Sequence, residues 1–172
     1  PWFLNMAVVG MFSTANAPLT NYAFLTIAAA NLLNTFGSNA LKSVFLPPML
    51  AGRWFGTMCL SETQAGSSLG DISTSATPRS DGLYAIRGSK MWITGGEHEL
   101  SENVVHMVLA RIPGGPPGTK GVSLFLVPKR RVSADGSTGA SNNVALAGLN
   151  HKMGQRASTN CLLNFGEEGE CL

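Results

Sequence analysis

Two short segments of the chain carry the residue types best suited to holding a flat, polar-edged ring system. Residues 58–68 read MCLSETQAGSS, and residues 90–95 read KMWITG. The first segment predicts a strand over residues 56–62 that breaks into a glycine- and serine-rich loop over residues 64–68. Glycine in such a loop lets a ligand approach unpaired backbone N–H groups without interference from a Cβ, which suits a phosphate or carbonyl oxygen. An ordinary turn of the same composition is the alternative interpretation.

The second segment is predicted to form the returning arm of a β-hairpin over residues 82–95. Tyr84 and Ile86 alternate with Ala85 and Arg87, and the Gly88-Ser89 pair supplies the turn. Residues two apart on a strand share a face, so Trp92 and Thr94 should project together. An indole could then lie against a ring while a hydroxyl bonds one of its heteroatoms. The alternative is that both side chains belong to an ordinary sheet core.

Helices are expected to precede these strands, because residues 1 to about 54 read as helical. Gly37 is predicted to end the first helix, and Ser38 can cap a short second helix that runs to about Phe45. The Pro47-Pro48 pair is predicted to end that second helix.

The N-terminal region has an unusual charge distribution, since no Lys, Arg, Asp or Glu precedes Lys42. We expect its helix to be buried on most sides within a larger helical domain whose other helices this chain does not contain. A membrane helix over residues 17–36 is the alternative, but Thr and Asn interrupt that apolar run throughout. The chain also opens with Pro1 rather than Met, so we expect a fragment of a longer polypeptide.

Two later strands, over residues 104–112 and 121–127, are predicted to be joined by the glycine- and proline-rich connector 113–119. This connector is similar to the phosphate-binding loop of some ATPases, but no Gly precedes Lys120 and Gly121 replaces the Mg²⁺-binding Ser or Thr. A plain hairpin loop is therefore predicted.

The rest of the chain also reads as β-structure. Residues 134–143, rich in Ser, Gly and Asn, are predicted to be a flexible excursion, and residues 160–165 a final strand. Strands at this spacing after N-terminal helices predict an α+β fold, in which the helices are followed by an antiparallel β-barrel or sandwich.

Composition excludes several function classes. The net charge of +2, from 12 basic and 10 acidic residues, gives no footprint for nucleic acid. The three cysteines form no Cys-x-x-Cys pair and leave an odd number, so a disulfide framework is not expected and a reducing cytoplasm fits. The three histidines lack metal-ligand spacing, so no metal site is predicted.

The two opening segments together resemble the middle β-domain of the acyl-CoA dehydrogenase family. That family has a strand of the form aromatic-Cys-aliphatic-Thr-Glu-Pro-x-x-Gly-Ser-Asp, followed by a Lys-Met-Trp-Ile-Thr-Asn strand. Further similar blocks lie at residues 46–56, 108–111, 120–128 and 151–158, and the resemblance covers residues from about 16 to 168. The chain departs from the family pattern at Met58, Thr63, Ser68 and Gly95. Residues 95–106 and the proline-rich turn are most similar to the bacterial branch that includes 3-methylmercaptopropionyl-CoA dehydrogenases.

This resemblance implies part of an N-terminal helical domain over residues 1–55 and the middle β-domain over residues 56–172. It also implies FAD and the α,β-dehydrogenation of an acyl-CoA thioester, as in fatty acid metabolism. Thr94 would bond the flavin near N5, Ser61 and the backbone about Leu60 would bond its pyrimidine edge, and Trp92 would pack on the ring. The full implied cofactor set is Met58, Leu60, Ser61, Gly66, Ser67, Trp92, Ile93 and Thr94. Ser67 and Ser68 would contact the substrate.

The family's catalytic base is a glutamate of its C-terminal helical domain, and none of the glutamates here matches that motif. The resemblance further implies electron-transfer flavoprotein or a similar acceptor as partner, and a homodimer or homotetramer. Residues 20–26 could line the acyl chamber, or pack in the core. Three alternatives stay open: an acyl-CoA oxidase, a flavin monooxygenase on the same scaffold, or a non-catalytic β-barrel used for interaction.

Overall fold

Two helices lead the chain in the computed structural model, which describes residues 2–172. Helix α1 spans Trp2–Phe36 and α2 spans Asn39–Leu50. Helix α1 is kinked at Asn16, whose φ of −160° and ψ of 92° are not helical, just before Pro18. Proline lacks the N–H of a helix interior and crowds the preceding turn, which explains the kink. No helix within residues 2–172 is both long enough and apolar enough to cross a membrane.

The boundary between the helices follows local signals. Helix α1 ends just before Gly37, and the Ser38 side chain caps α2 by accepting from the Leu41 N–H at 3.3 Å. The prediction that Pro47-Pro48 ends α2 was wrong, because α2 continues through both prolines to its last residue, Leu50. Pro48 is buried there, so tertiary packing holds this last turn although the prolines remove two backbone donors.

Nine strands follow, and they confirm the α+β fold class. They are β1 Trp54–Cys59, β2 Ser75–Pro78, β3 Tyr84–Thr94, β4 Asn103–Arg111, β5 Val122–Pro128, β6 Arg130–Val132, β7 Thr138–Ser141, β8 Val144–Leu149 and β9 Asn160–Phe165. Seven form one sheet in the order β1-β4-β2-β3-β9-β8, with β5 also on β4, and β6 pairs with β7. The pairings are antiparallel except that β4 runs parallel to β1 and, at one residue pair, to β2.

The predicted hairpin with its turn at Gly88-Ser89 was wrong. Strand β3 is continuous from Tyr84 to Thr94 and pairs with β2 through its first half and with β9 through its second. Gly88 has a φ of 152°, and a Cβ there would lie 2.8 Å from the Cα of Thr74. Glycine at this position therefore permits the close approach of a neighbouring segment rather than a reversal of the chain.

Two other predictions can be compared with the strands. Residues 134–143 were predicted to be a flexible excursion, but they include β7, which pairs with β6. The prediction of a hairpin across the 113–119 connector is confirmed, since β4 and β5 pair antiparallel on either side of it. The last strand, β9, spans the predicted residues.

The helices pack on the sheet through a close contact at Gly56. A Cβ at Gly56 would lie 2.6 Å from that of Ala29, and the Gly56 N–H donates to Thr26 Oγ1 at 3.0 Å. Tyr22 and Thr26 are both buried, and the Tyr22 hydroxyl accepts from the Thr159 N–H at 3.0 Å. Of the two interpretations offered for residues 20–26, this burial favours core packing.

Candidate functional site

The two chemistry-bearing segments of the sequence meet where β1 ends beside β3. The Met91 N–H donates to the Ser61 carbonyl at 2.9 Å, and the Lys90 Nζ donates to the Leu60 carbonyl at 3.0 Å. Both carbonyls at the strand end are therefore occupied by groups of β3. The half-buried side chains of Leu60 and Ser61 lie next to the segment that carries Trp92.

A β-bulge interrupts β3 at this contact. Lys90 pairs with Leu163 and Ile93 pairs with Cys161, so three residue steps on β3 oppose two on β9. Cross-strand partners share a face, and all four of these side chains are buried. The side chain of Ile93 thus belongs to the core, and only its backbone is open to a role in binding a cofactor.

Trp92 lies in the bulge with a φ of 66°, in the left-handed region that bulky residues rarely adopt. Its indole is 58% exposed. A left-handed residue of this kind costs about 1–3 kcal/mol, and such strain concentrates at binding and catalytic sites. The bulge brings Lys90 and Ile93 to the same core face, and alternation on either side of Ile93 directs Trp92 and Thr94 away from that face.

Thr94 is held by β9. It pairs with Asn160, whose Nδ2 donates to Thr94 Oγ1 at 3.3 Å. The Asn160 Oδ1 in turn accepts from Asn150 Nδ2 at 2.7 Å. This chain of amides leaves the Thr94 hydroxyl proton available to an acceptor outside the sheet.

The loop after β1 opens at Gly66. Residues Glu62 and Ala65 close a tight turn through two backbone hydrogen bonds of 2.9 and 3.1 Å. Gly66, Ser67 and Ser68 are exposed beyond it, and their N–H groups find no acceptor within residues 2–172. A Cβ at Gly66 would meet nothing within 4 Å. The loop can therefore receive an anionic or carbonyl oxygen from solvent.

A buried ion pair lies directly beneath the site. Lys90 Nζ and Glu62 Oε1 are 2.9 Å apart, and their side chains are 0% and 2% exposed. Glu62 also accepts five further hydrogen bonds, from the N–H and hydroxyl groups of Ser73 and Thr74 and from the Gln64 amide.

These contacts shift the pKa values of both partners in the pair. Burial tends to raise the pKa of Glu62, but hydrogen bonds from Thr74, Lys90 and Ser73 outweigh it and hold that pKa well below its usual range. Burial lowers the pKa of Lys90, and Glu62 opposes that shift. The ion pair consequently ties β3 to the end of β1 and to the segment before β2.

The sequence analysis predicted neither the Lys90–Glu62 ion pair nor a role for Asn160 at the site. Glu62 and Lys90 lie in the two segments first singled out, but their pairing depends on a contact between residues far apart in the chain. Asn160 was assigned only to the last strand. A charged residue at a core-facing position of a strand was the one available signal, since Lys is rarely buried unless it is paired.

The remaining predicted site residue of β1, Met58, is half-buried against the core that joins the helices to the sheet. Several glutamates contribute ion pairs elsewhere. Glu97 binds Lys129, Glu102 binds Arg53 and Glu170 binds Arg79. None of these three lies in the group formed by Ser61, Trp92 and Thr94 among the described contacts.

Comparison with known proteins agrees with this architecture. The family model described as "Acyl-CoA dehydrogenase, middle domain" matches residues 57–167. The 3-methylmercaptopropionyl-CoA dehydrogenase of Ruegeria pomeroyi is 42% identical over 165 residues, which cover 96% of this chain and 28% of that protein. A butyryl-CoA dehydrogenase of Syntrophomonas wolfei is 41% identical over 165 residues, covering 95% and 27%. The chain thus spans less than a third of the length of these relatives.

Solved structures show the same fold. Butyryl-CoA dehydrogenase from Megasphaera elsdenii has a TM-score of 0.72 at 23% identity, covering 95% of this chain and 39% of that one. An acyl-CoA dehydrogenase complexed with FAD from Bacillus anthracis has a TM-score of 0.60 at 25% identity, covering 79% and 20%. With the family model matching residues 57–167, the chain belongs to the acyl-CoA dehydrogenase family.

Proposed function

We propose that this chain is part of an FAD-dependent enzyme that removes two hydrogens from the α and β carbons of an acyl-CoA thioester. The observation that carries the proposal is the pairing of an exposed, strained indole at Trp92 with the Ser61-bearing end of β1, joined by the Met91–Ser61 hydrogen bond. A strand end that carries a serine hydroxyl, next to the segment with an exposed indole, offers a polar group and an aromatic face to an isoalloxazine.

The residues present fit a flavin. Trp92 would pack against the ring system, Thr94 would donate its free hydroxyl proton near N5, and Ser61 with the backbone at Leu60 would bond the pyrimidine edge. Bound FAD supplies a hydride acceptor next to the β carbon of the substrate. The protein's part is to hold that acceptor in register and to exclude motions that would misplace it.

The exposed loop would hold the polar entrance of the site. Gly66 and Ser67 would lie where FAD and the thioester portion of the substrate enter, and Ser67 and Ser68 would contact that substrate. Their free N–H groups and the open space at Gly66 support this placement. Met58 and the backbone of Ile93 would complete the wall behind the ring.

Family membership supports several wider features that we propose for the enzyme. We infer that residues 1–55 belong to a helical domain and residues 56–172 to the middle domain, in a cytoplasmic homodimer or homotetramer. Electron-transfer flavoprotein or a similar acceptor would reoxidise the cofactor. The general base would come from a glutamate outside residues 1–172, so these residues alone are expected to show no dehydrogenase turnover.

The test is made on the intact protein with Thr94→Val, which keeps the shape of the side chain and removes its hydroxyl. Loss of one hydrogen bond to the flavin should weaken FAD binding about three- to tenfold and slow flavin reduction by acyl-CoA. Wild-type protein should be yellow, and oxygen consumption during turnover distinguishes an oxidase from a dehydrogenase. Unchanged FAD affinity and reduction rate in Thr94→Val would contradict the assignment.

A further inference from the structure

The hydroxyl of Thr94 meets a donor, not an acceptor, on the neighbouring strand. Asn160 Nδ2 donates to Thr94 Oγ1 at 3.3 Å, and the side-chain oxygen of Asn160, Oδ1, already accepts from Asn150 Nδ2 at 2.7 Å. A hydroxyl that accepts from its neighbour keeps its single proton for another partner. The orientation of the Asn160 amide therefore decides which way the Thr94 proton points.

Backbone hydrogen bonds hold the strands together on both sides of the Thr94–Asn160 pair. The Gly95 N–H donates to the Thr159 carbonyl at 2.9 Å, and the Asn150 N–H donates to the Asn160 carbonyl at 2.8 Å. These bonds fix the backbone on either side of the Thr94–Asn160 pair. The side-chain orientation is thus imposed by the β-sheet and by Asn150 before any ligand binds.

A second hydroxyl–asparagine pair on the same two strands has the opposite polarity. Ser89 pairs with Asn164, and its hydroxyl donates to Asn164 Oδ1 at 2.6 Å. The Ser89 hydroxyl donates its hydrogen bond within the sheet, whereas the Thr94 hydroxyl accepts one there. The polarity at Thr94 therefore does not follow from the pairing of a hydroxyl with an asparagine as such. The second partner of each amide differs: Asn150 donates to Asn160 Oδ1, whereas Glu167 accepts from Asn164 Nδ2.

We propose that Asn160 is a positioning residue that makes the Thr94 hydroxyl a hydrogen-bond donor toward the cofactor. The inference rests on the proposed function, since it requires FAD beside Thr94. N5 of an oxidised flavin offers a lone pair and no proton, so only a hydroxyl whose proton is free can bond it. Asn150 supports this role by occupying the Asn160 carbonyl.

Asn160→Asp in the intact protein tests the proposal. Aspartate has the same shape and can still accept a hydrogen bond from Asn150. Its carboxylate would also accept a hydrogen bond from the Thr94 hydroxyl, which would then no longer donate to the flavin. We expect FAD binding to weaken about three- to tenfold, and the N5 resonance of isotope-labelled FAD to move to its position in Thr94→Val. The double variant Thr94→Val/Asn160→Asp should bind FAD no more weakly than Thr94→Val alone, because both changes remove the same hydrogen bond to the flavin.

Asn164→Asp is the matched control. It places the same charge on the same strand and face and can still accept from Ser89. It loses the bond from Asn164 Nδ2 to Glu167, but that contact does not involve Thr94, so FAD binding and the N5 resonance should stay at wild-type values. Asn150→Ala, which does not touch Thr94, frees the Asn160 carbonyl and should shift the N5 resonance part of the way. This variant keeps the proposal testable where Asn160→Asp does not fold.

Three results would overturn the proposal. An N5 resonance at its wild-type position in both Asn160→Asp and Asn150→Ala rules out control of the hydroxyl by this amide. An equal loss of FAD affinity in Asn164→Asp assigns the effect to charge alone. A wild-type protein that takes up no FAD refutes the proposed function together with this inference, whereas yellow wild-type protein with unaffected variants refutes this inference only.

Discussion

Removing the charge of Lys90 should destabilise the protein strongly, because Lys90→Met leaves the Glu62 carboxylate buried without its cation. Breaking a buried ion pair by deleting one partner costs about 3–5 kcal/mol. Five hydrogen bonds to Glu62 remain in the variant, so we expect a cost at the low end of this range. We expect the free energy of unfolding at neutral pH to fall by about 3 kcal/mol.

The assay is urea unfolding of the intact protein, followed by tryptophan fluorescence and circular dichroism, whose transitions must coincide for a two-state analysis. Arg53→Met is the matched control, because its ion pair with Glu102 spans 3.0 Å, close to the 2.9 Å of the Lys90–Glu62 pair, but its side chains are 56% and 53% exposed. That control should lose less than about 1 kcal/mol. Glu62→Gln combined with Lys90→Met should lose less than the sum of the two single variants by at least about 1 kcal/mol.

The pH dependence gives an independent check with a definite sign. The folded-state pKa of Glu62 lies below its unfolded value, so the stability it contributes is present above the unfolded pKa and is lost as pH falls through the folded pKa. The hydrogen bond from Lys90 is one of the contacts that lower this pKa, so its loss raises the pKa relative to the wild type, and the carboxyl takes up a proton at a higher pH. The stability gap between wild type and Lys90→Met should therefore narrow below about pH 5. A gap under about 1 kcal/mol at neutral pH, or one that widens in acid, would refute the reasoning.

Three further predictions use the same intact protein. Gly88→Ala should destabilise it by at least about 1 kcal/mol, since its Cβ would lie 2.8 Å from the Cα of Thr74 at a φ of 152°; urea titration measures the loss, and wild-type stability would contradict it. Burial and the charge of Lys129 lower the pKa of His106 from 6.5 to about 3, so wild-type stability should fall with pH below about 6.5 by up to about 1.4 kcal/mol per unit, and His106→Leu should flatten that slope. Burial raises the pKa of the Cys59 thiol to about 12, so mass spectrometry after alkylation at about pH 8 should find it unmodified until the protein unfolds.

Some elements of the fold could be predicted because their signals are local. Ser38 caps α2 through a bond to an N–H three residues later, and such a cap is readable from residue type and position. Strand β9 spans the residues that the sequence predicted as the final strand, and its side chains alternate between half-buried and buried along it. The neighbouring position of the Ser61 and Trp92 segments was implied by the family resemblance, and the Met91–Ser61 hydrogen bond shows that contact.

Other features depend on contacts between distant segments, and local reading failed there. Gly88-Ser89 has the composition of a turn, yet Gly88 is required by the approach of Thr74 from another part of the chain. The Pro47-Pro48 pair has the composition of a helix end, yet Pro48 is buried in the last turn of α2. In each case the tertiary contact, which no window of sequence contains, overrides the local preference.

The bulge that exposes Trp92 is itself explained by the ion pair below it. Lys90 must face the core to reach Glu62, and Ile93 faces the same core three residues later. A regular strand would place residues 90 and 93 on opposite faces, so satisfying both requires one extra residue between them. That extra residue is accommodated by the left-handed backbone of Trp92, which turns the indole out of the sheet. The charge buried at Lys90 therefore fixes the register on which the cofactor wall depends, and Lys90→Met should loosen the conformation of Trp92 as well as the fold.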